Sequence, residues 1–315
     1  MLYQGMYEQR SRRCQAGVLL LLIVAGFFLS LFPLLMLQIV APDPTLAPVA
    51  RASVVIQDVC LFILPPAMGV LLLFRQPALQ VLSIRRPRID LLLCAIAVIG
   101  LLNPLIDLTA QWNMNLKLPQ LLQGLEQWLT EMEQSANLLI ESMLHDERIS
   151  VLLLNILIIA ILAGISEELL FRGLLMKLIY RWLFPKASAE TTKSVSTFPQ
   201  DPLRFHAAVW ITAFLFSAIH LQFYGFLPRL LLGAALGYIC AYGGLWAAIL
   251  AHSANNTLAI LVYPNQPYNS NWQWVNVLSE TGDETVSLPL VILCTALTIG
   301  ILWYMSYRYA RLAHR

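Results

Sequence analysis

The sequence predicts an all-α fold, a polytopic membrane bundle of about eight transmembrane helices. Three observations carry that expectation. Of 315 residues, 58% are hydrophobic and only 12% charged, about half the charged share of an ordinary soluble domain. The apolar residues fall in repeated runs near the ~20 residues that a helix needs to cross a bilayer. The basic residues between those runs segregate to alternate connections. A net charge of only +2 leaves no nucleic-acid footprint.

The first run, 17–40, follows Arg10, Arg12 and Arg13. That start resembles a signal peptide's, but the run is longer than a signal core and no small-x-small cleavage site stands out, so a retained helix is expected. Runs 53–74 and 89–109 follow. Pro33 in the first run and Pro65-Pro66 in the second are expected to kink their helices. Residues 117–147 have apolar residues at helical spacing with acids between them, which predicts an amphipathic outer helix lying over the bundle. Run 149–182 is longer than a bilayer is thick, so it must tilt or project, with Lys177 and Arg181 snorkelling to the interface. A Ser/Thr/Pro-rich loop, 185–204, leads to spans 206–224, 228–243 and 245–263. An acidic loop with Trp272 and Trp274, 264–286, precedes the last span, 287–306.

The basic residues orient this array. With the N-terminus in the cytoplasm, the inner segments hold Arg10, Arg12, Arg13, Arg75, Arg85, Arg86, Arg88, Lys177, Arg181, Lys186, Lys193, Arg204, Arg308, Arg311 and Arg315. The outer ones hold only Arg51, Lys117, Arg148 and Arg229. The expected location is the cell membrane, with multiple passes and both termini cytoplasmic. Cys14, Cys60, Cys94, Cys240 and Cys294 show no CxxC spacing, and four lie in apolar runs. They read as small buried hydrophobes.

Charge inside such runs is costly, and intramembrane ionisable groups are functional candidates by default. "ISEELLFRG", residues 165–173, places Glu167, Glu168 and Arg172 in one. Glu168 and Arg172 are four apart and share a helix face, so they can pair. Glu167 points about 100° away and is left as a candidate general base. All three could instead form one ion-pair cluster that fixes helix packing. His220 follows Phe216 by four residues in "FLFSAIH", and Asn256 follows His252 by four in "AHSANNTL". Asp58 and Asp107 are scattered single acids. Glu167 and His220 could hold and deprotonate a water, while His252 and Asn256 could donate to the oxyanion of a peptide-bond hydrolysis.

These motifs, Glu-Glu-x-x-x-Arg, Phe-x-x-x-His and His-x-x-x-Asn in that order, resemble the CPBP family of intramembrane proteases. That family includes the type II CAAX prenyl endopeptidases and bacteriocin-immunity relatives. The resemblance spans 149–263 and implies a helical bundle with an intramembrane active-site cavity. It implies catalytic roles for Glu167, His220, His252 and Asn256, with Glu168, Arg172 and Phe216 in support. It divides the single membrane domain into N-terminal helices (1–148), a catalytic core (149–263), and an outer loop with the last helix (264–315). The substrate it implies is a membrane-embedded or lipidated protein. No cofactor is expected. There is no HExxH signature, although Glu167, His220 and His252 are the residues that would hold zinc. Two other readings of the buried charges stand beside this one: a proton-coupled transporter, and a non-catalytic immunity or scaffold protein.

Overall fold

The computed structural model describes residues 5–43, 46–84, 86–146, 148–183, 202–262 and 287–313. Its main helices are α1 (Arg12–Val40), α2 (Ala47–Leu73), α3 (Ile89–Met114), α4 (Gln123–Leu144) and α5 (Ile149–Leu183). They continue as α6 (Pro202–Ala218), α7 (Phe226–Gly243), α8 (Leu245–Val262) and α9 (Leu288–Ala313). The protein is an all-α polytopic helical bundle. Seven of these helices are long and apolar enough to cross a membrane. The expected fifth span, α6, is apolar but shorter. Most of loop 185–204 and all of loop 264–286 lie outside the described residues.

α3 and α7 form the middle of the bundle. α3 packs against α7, α8 and α9, while α6 lies against α7 and α5. Their shared core is built from Leu91, Ala95 and Val98 of α3, Leu236 and Ile239 of α7, and Ala247, Ala248 and Ala251 of α8. Small residues permit the close approach, as is usual where helices pack in lipid. α1 is the reverse case: Leu21, Phe28, Phe32 and Ile39 are all exposed, as a lipid-facing helix requires.

Gly164 sets the crossing of α5 and α8. A Cβ built there would lie 2.5 Å from Ser253 Oγ and 3.2 Å from the Ser253 backbone nitrogen. Gly100 of α3 has nothing within 4 Å of the same position. Gly164→Leu is therefore expected to cost about 1–3 kcal/mol through overpacking and to lower the thermal midpoint in detergent. Gly100→Leu should leave the midpoint unchanged or raise it, since it only removes a helical glycine. Equal effects of the two would refute this account of the crossing.

Two helices depart from regular α winding. Asp58–Ile63 in α2, and Ile156–Leu162 and Leu169–Leu175 in α5, are π-helical. Such segments recur at functional sites because they re-aim the side chains around them. The first of them directly precedes Leu64, Pro65 and Pro66, which open the next α-helical stretch of α2. Prolines are tolerated at a helix start because the first turn leaves its N–H groups unpaired anyway. Pro33, by contrast, lies inside a continuous α1.

Several basic residues are placed differently from the sequence expectation. Lys177 does not snorkel. It is 3% exposed and donates to the Val81 carbonyl and to Ser83 Oγ, tying α5 to the turn after Ala78–Val81. Arg181 donates to the backbone carbonyl of Glu8 at 2.9 Å and lies over the Phe74 ring. Arg51 is buried at the start of α2, donating to Asn155 Oδ1 at 2.7 Å and to the Met143 carbonyl at 2.8 Å. Asn155 donates to that same carbonyl, so the C-terminal end of α4 is pinned to α2 and α5. Asn113 at the end of α3 donates to the Phe223 carbonyl and accepts from Leu227 N–H, and Glu133 of α4 accepts from Tyr224 N–H. The α6–α7 connection, which begins beside His220, is thereby held from two sides.

Candidate active site

α5 supplies the acids. Glu168 and Arg172 are both 0% exposed, and Arg172 Nη1 donates to Glu168 Oε1 at 2.5 Å. Arg172 Nη2 donates to the Gly233 carbonyl of α7 at 2.8 Å. The guanidinium also lies 4.7 Å from the centroid of the Phe216 ring, a cation–π position. Glu168 has a further partner that spacing along α5 does not reveal. His252 Nδ1 of α8 lies 2.9 Å from the same Oε1. A carboxylate oxygen accepts, so His252 donates its Nδ1–H there.

Glu167 stands one residue away on another face. Its side chain keeps 14% exposure, and its Oε2 is 3.8 Å from His252 Nε2, too long for a hydrogen bond. His220 lies just past the end of α6 rather than within it, and its Nδ1 donates back to the Phe216 carbonyl at 2.7 Å. Phe216 packs edge-to-face on Phe171, His220 and His252, with centroids 5.2, 5.2 and 5.8 Å apart. One aromatic ring thus holds Arg172 and orients both imidazoles.

The two histidines share a consequence. Each has its Nδ1 proton committed, one to a carbonyl and one to a carboxylate, so each offers Nε2 to the site. A neutral imidazole with Nδ1–H has only a lone pair at Nε2. His252 can therefore donate from Nε2 only as the imidazolium.

Of the seven motif residues, Asn256 is the least engaged. It lies one turn beyond His252, donates from Nδ2 to the Ile159 carbonyl of α5 at 3.2 Å, and accepts from Asn255. One Nδ2 hydrogen remains for another acceptor. Glu168, Arg172, Phe216 and His252 are buried, whereas Glu167, His220 and Asn256 are part-exposed. The reachable side of the cluster is therefore the side of those three.

Three further groups belong to this centre. Ser166 Oγ contacts Asp58 Oδ1 of α2 at 3.1 Å. Arg229, in the first turn of α7, donates to Gln222 Oε1 at 2.5 Å. Asp58 Oδ2, Glu167 Oε2, Glu168 Oε2, Arg172 Nε, Arg229 Nη1 and Ser253 Oγ are buried with no hydrogen-bond partner among the described residues. Buried polar atoms in natural proteins are normally satisfied by protein or water. Arg172 and Asp58 stand out in the sequence as charges in apolar runs and Arg229 as a charge of an outer segment, but nothing local there says that Asp58 meets Ser166.

Among the described residues, no group of three or more His, Cys, Asp or Glu side chains is arranged to hold a metal ion. Glu167, His220 and His252 do not form such a group.

Residues 149–258 match the model of a family described as type II CAAX prenyl endopeptidase Rce1-like. The match begins at α5, ends within α8, and takes in all seven motif residues. α1 to α4 and α9 lie outside it. No curated protein gives a significant match to the chain, and no solved structure does. At family level the match supports a CAAX-protease-like membrane peptidase, a hydrolase acting on a protein substrate.

Proposed function

We propose that the protein is an intramembrane endopeptidase that hydrolyses a peptide bond in a membrane-embedded or lipidated protein, with Glu167 as general base. One observation supports this most. Of the two adjacent glutamates, Glu168 is neutralised by Arg172 and His252, while Glu167 stays without an ion-pair partner within hydrogen-bonding distance, at the reachable edge and beside His220. In an apolar surrounding, such a carboxylate is suited to accept a proton.

The chemistry follows from those positions. Glu167 takes a proton from a water that His220 Nε2 orients as acceptor. The water oxygen attacks the substrate carbonyl carbon, and charge develops on the carbonyl oxygen. His252, as the imidazolium, and Asn256 donate to that oxyanion. Glu167 then returns its proton to the amide nitrogen as the C–N bond breaks. Glu168 holds the His252 ring by its Nδ1–H, and Arg172 pairs with Glu168. The catalytic core is 149–263, with 1–148 and 264–315 around it in one membrane domain. The test is cleavage of a library of membrane-spanning and lipidated peptides by the purified protein in lipid, beside Glu167→Ala. Cleavage by the wild type and none by the variant is expected. Equal cleavage by both would exclude Glu167 as the base.

We also place the protein in the cell membrane with both termini cytoplasmic, on the strength of the basic asymmetry. In a cysteine-free background, a membrane-impermeant thiol reagent added outside intact cells should label Ser135→Cys on α4, an exposed position, and not Val195→Cys. The opposite labelling pattern would invert the topology.

A further inference from the structure

His220 differs from the other six motif residues in lying outside a helix. Its backbone has left α6 and entered the connection to α7, so its ring is only as well placed as that connection. The next residue, Leu221, has φ +55°. Left-handed backbone is unfavourable for a bulky side chain and persists where the surroundings impose it.

Asn113, at the end of α3, is well placed to impose it. It is 1% exposed. Its Nδ2 donates to the Phe223 carbonyl at 2.7 Å, and its Oδ1 accepts from Leu227 N–H at 2.9 Å. One amide thus bridges the point where the connection becomes α7, at Phe226. Ser217 Oγ, in the last turn of α6, donates to the Phe226 carbonyl at 2.6 Å and closes the base of the connection. Glu133 and Arg229 each make one bond to the same stretch, to Tyr224 N–H and to Gln222 Oε1. Asn113 makes two, both to backbone. The residue type matters, because the bridge needs a donor and an acceptor on one short side chain. Aspartate lacks the donor, and leucine has a similar shape and neither group. Asn113 lies outside residues 149–258 and is not one of the seven motif residues.

We propose that Asn113 is a positioning residue for His220: by fixing the α6–α7 connection it keeps the imidazole seated on the Phe216 carbonyl, with Nε2 offered to the water that Glu167 activates. This rests on the reading of His220 as the residue that orients that water. Without the amide bridge the left-handed turn at Leu221 relaxes, the His220 backbone shifts, and the Nδ1–H bond to Phe216 is lost.

Nitrogen NMR of the purified protein in lipid, with isotope-labelled histidine and no substrate, tests this. Ring shifts distinguish a protonated nitrogen from a bare one. The signals of His220 and His252 are assigned by their loss in His220→Gln and His252→Gln. Asn113→Leu keeps the volume of the side chain and neither bond. It should shift or broaden the His220 signals and leave in place those of His252, which Glu168 holds between α5 and α8. Unmoved His220 signals overturn the proposal, and so does an equal displacement of both histidines, which would mean a general loosening. If Asn113→Leu does not fold, Asn113→Asp decides. It keeps the acceptor for Leu227 N–H and loses only the donor, so the His220 signals should still move, and unmoved signals overturn the proposal. In turnover, Asn113→Leu should lower kcat about tenfold to hundredfold with KM little changed, and should add nothing in a His220→Ala background. The same loss repeated in that background, or an effect confined to KM, overturns it. The two readings fail separately: a protein that cleaves no peptide refutes the peptidase reading, while the ring spectra judge the hold of Asn113 on His220 without any substrate.

Discussion

Glu167→Gln is expected to fold, to bind substrate, and to cleave about 10²–10⁴-fold more slowly than the wild type, the usual loss when a general base is removed. Glutamine keeps the shape of the side chain and its hydrogen bonds but cannot accept the water's proton. Folding should be little affected because the contact of Glu167 to His252 is long, at 3.8 Å, and the close buried pairing falls on Glu168. His220→Ala should fall similarly. The double variant should be little worse than either single one, because both act on one water. His252→Ala and Asn256→Ala should each lose up to about 10²–10³ if they serve the oxyanion. Initial rates of peptide cleavage in vesicles measure all of this. If Glu167→Gln cleaves at the wild-type rate, the chemistry proposed for α5 is wrong, and transport or partner binding becomes the better account of the buried charges.

Much of this centre was legible from spacing within single helices. The pairing of Glu168 with Arg172 needs only an i,i+4 relation, and the opposite placement of Glu167 follows from one helical step. What spacing cannot supply is how helices cross. The contact between His252 and Glu168 depends on α8 lying against α5 at Gly164 and Ser253, a long-range approach that no motif encodes. Asp58 was visible as an acid in an apolar run. Its partner was not, because α2 meets α5 only in the folded bundle. The π-helical segments are not legible because DVCLFI, ILIIAIL and LLFRGLL are almost uniformly apolar and carry no periodicity to shift. His220 shows a related limit: its spacing from Phe216 suggests a shared helix face, but α6 ends first, and the ring reaches back to the Phe216 carbonyl instead. Span counting fared better, since α6 differs from the expected fifth span mainly in length.

Arg172→Ala is expected to cost about 3–5 kcal/mol of stability, seen as a lower thermal midpoint and a smaller monodisperse fraction in detergent. Three losses coincide in that variant. Glu168 loses its guanidinium while staying fully buried, the Gly233 carbonyl loses its donor, and a cavity opens between Phe171 and Phe216 where the largest fully buried side chain had been. Arg172→Lys keeps the charge but not the fork that reaches Glu168 and Gly233 together, so it should fall between alanine and wild type. The informative variant removes both charges. Replacing a buried ion pair with apolar residues of similar volume is often neutral or stabilising, so Glu168→Leu with Arg172→Met should regain most of the folded yield lost in Arg172→Ala. Activity should not return with it, because His252 would then have no carboxylate to hold its Nδ1–H. Recovery of fold without recovery of cleavage would separate the pair's electrostatic cost from its orienting role. A double variant that cleaves at the wild-type rate would show that Glu168 does nothing for His252, and a stable, fully active Arg172→Ala would remove the buried pair from the account of this site altogether.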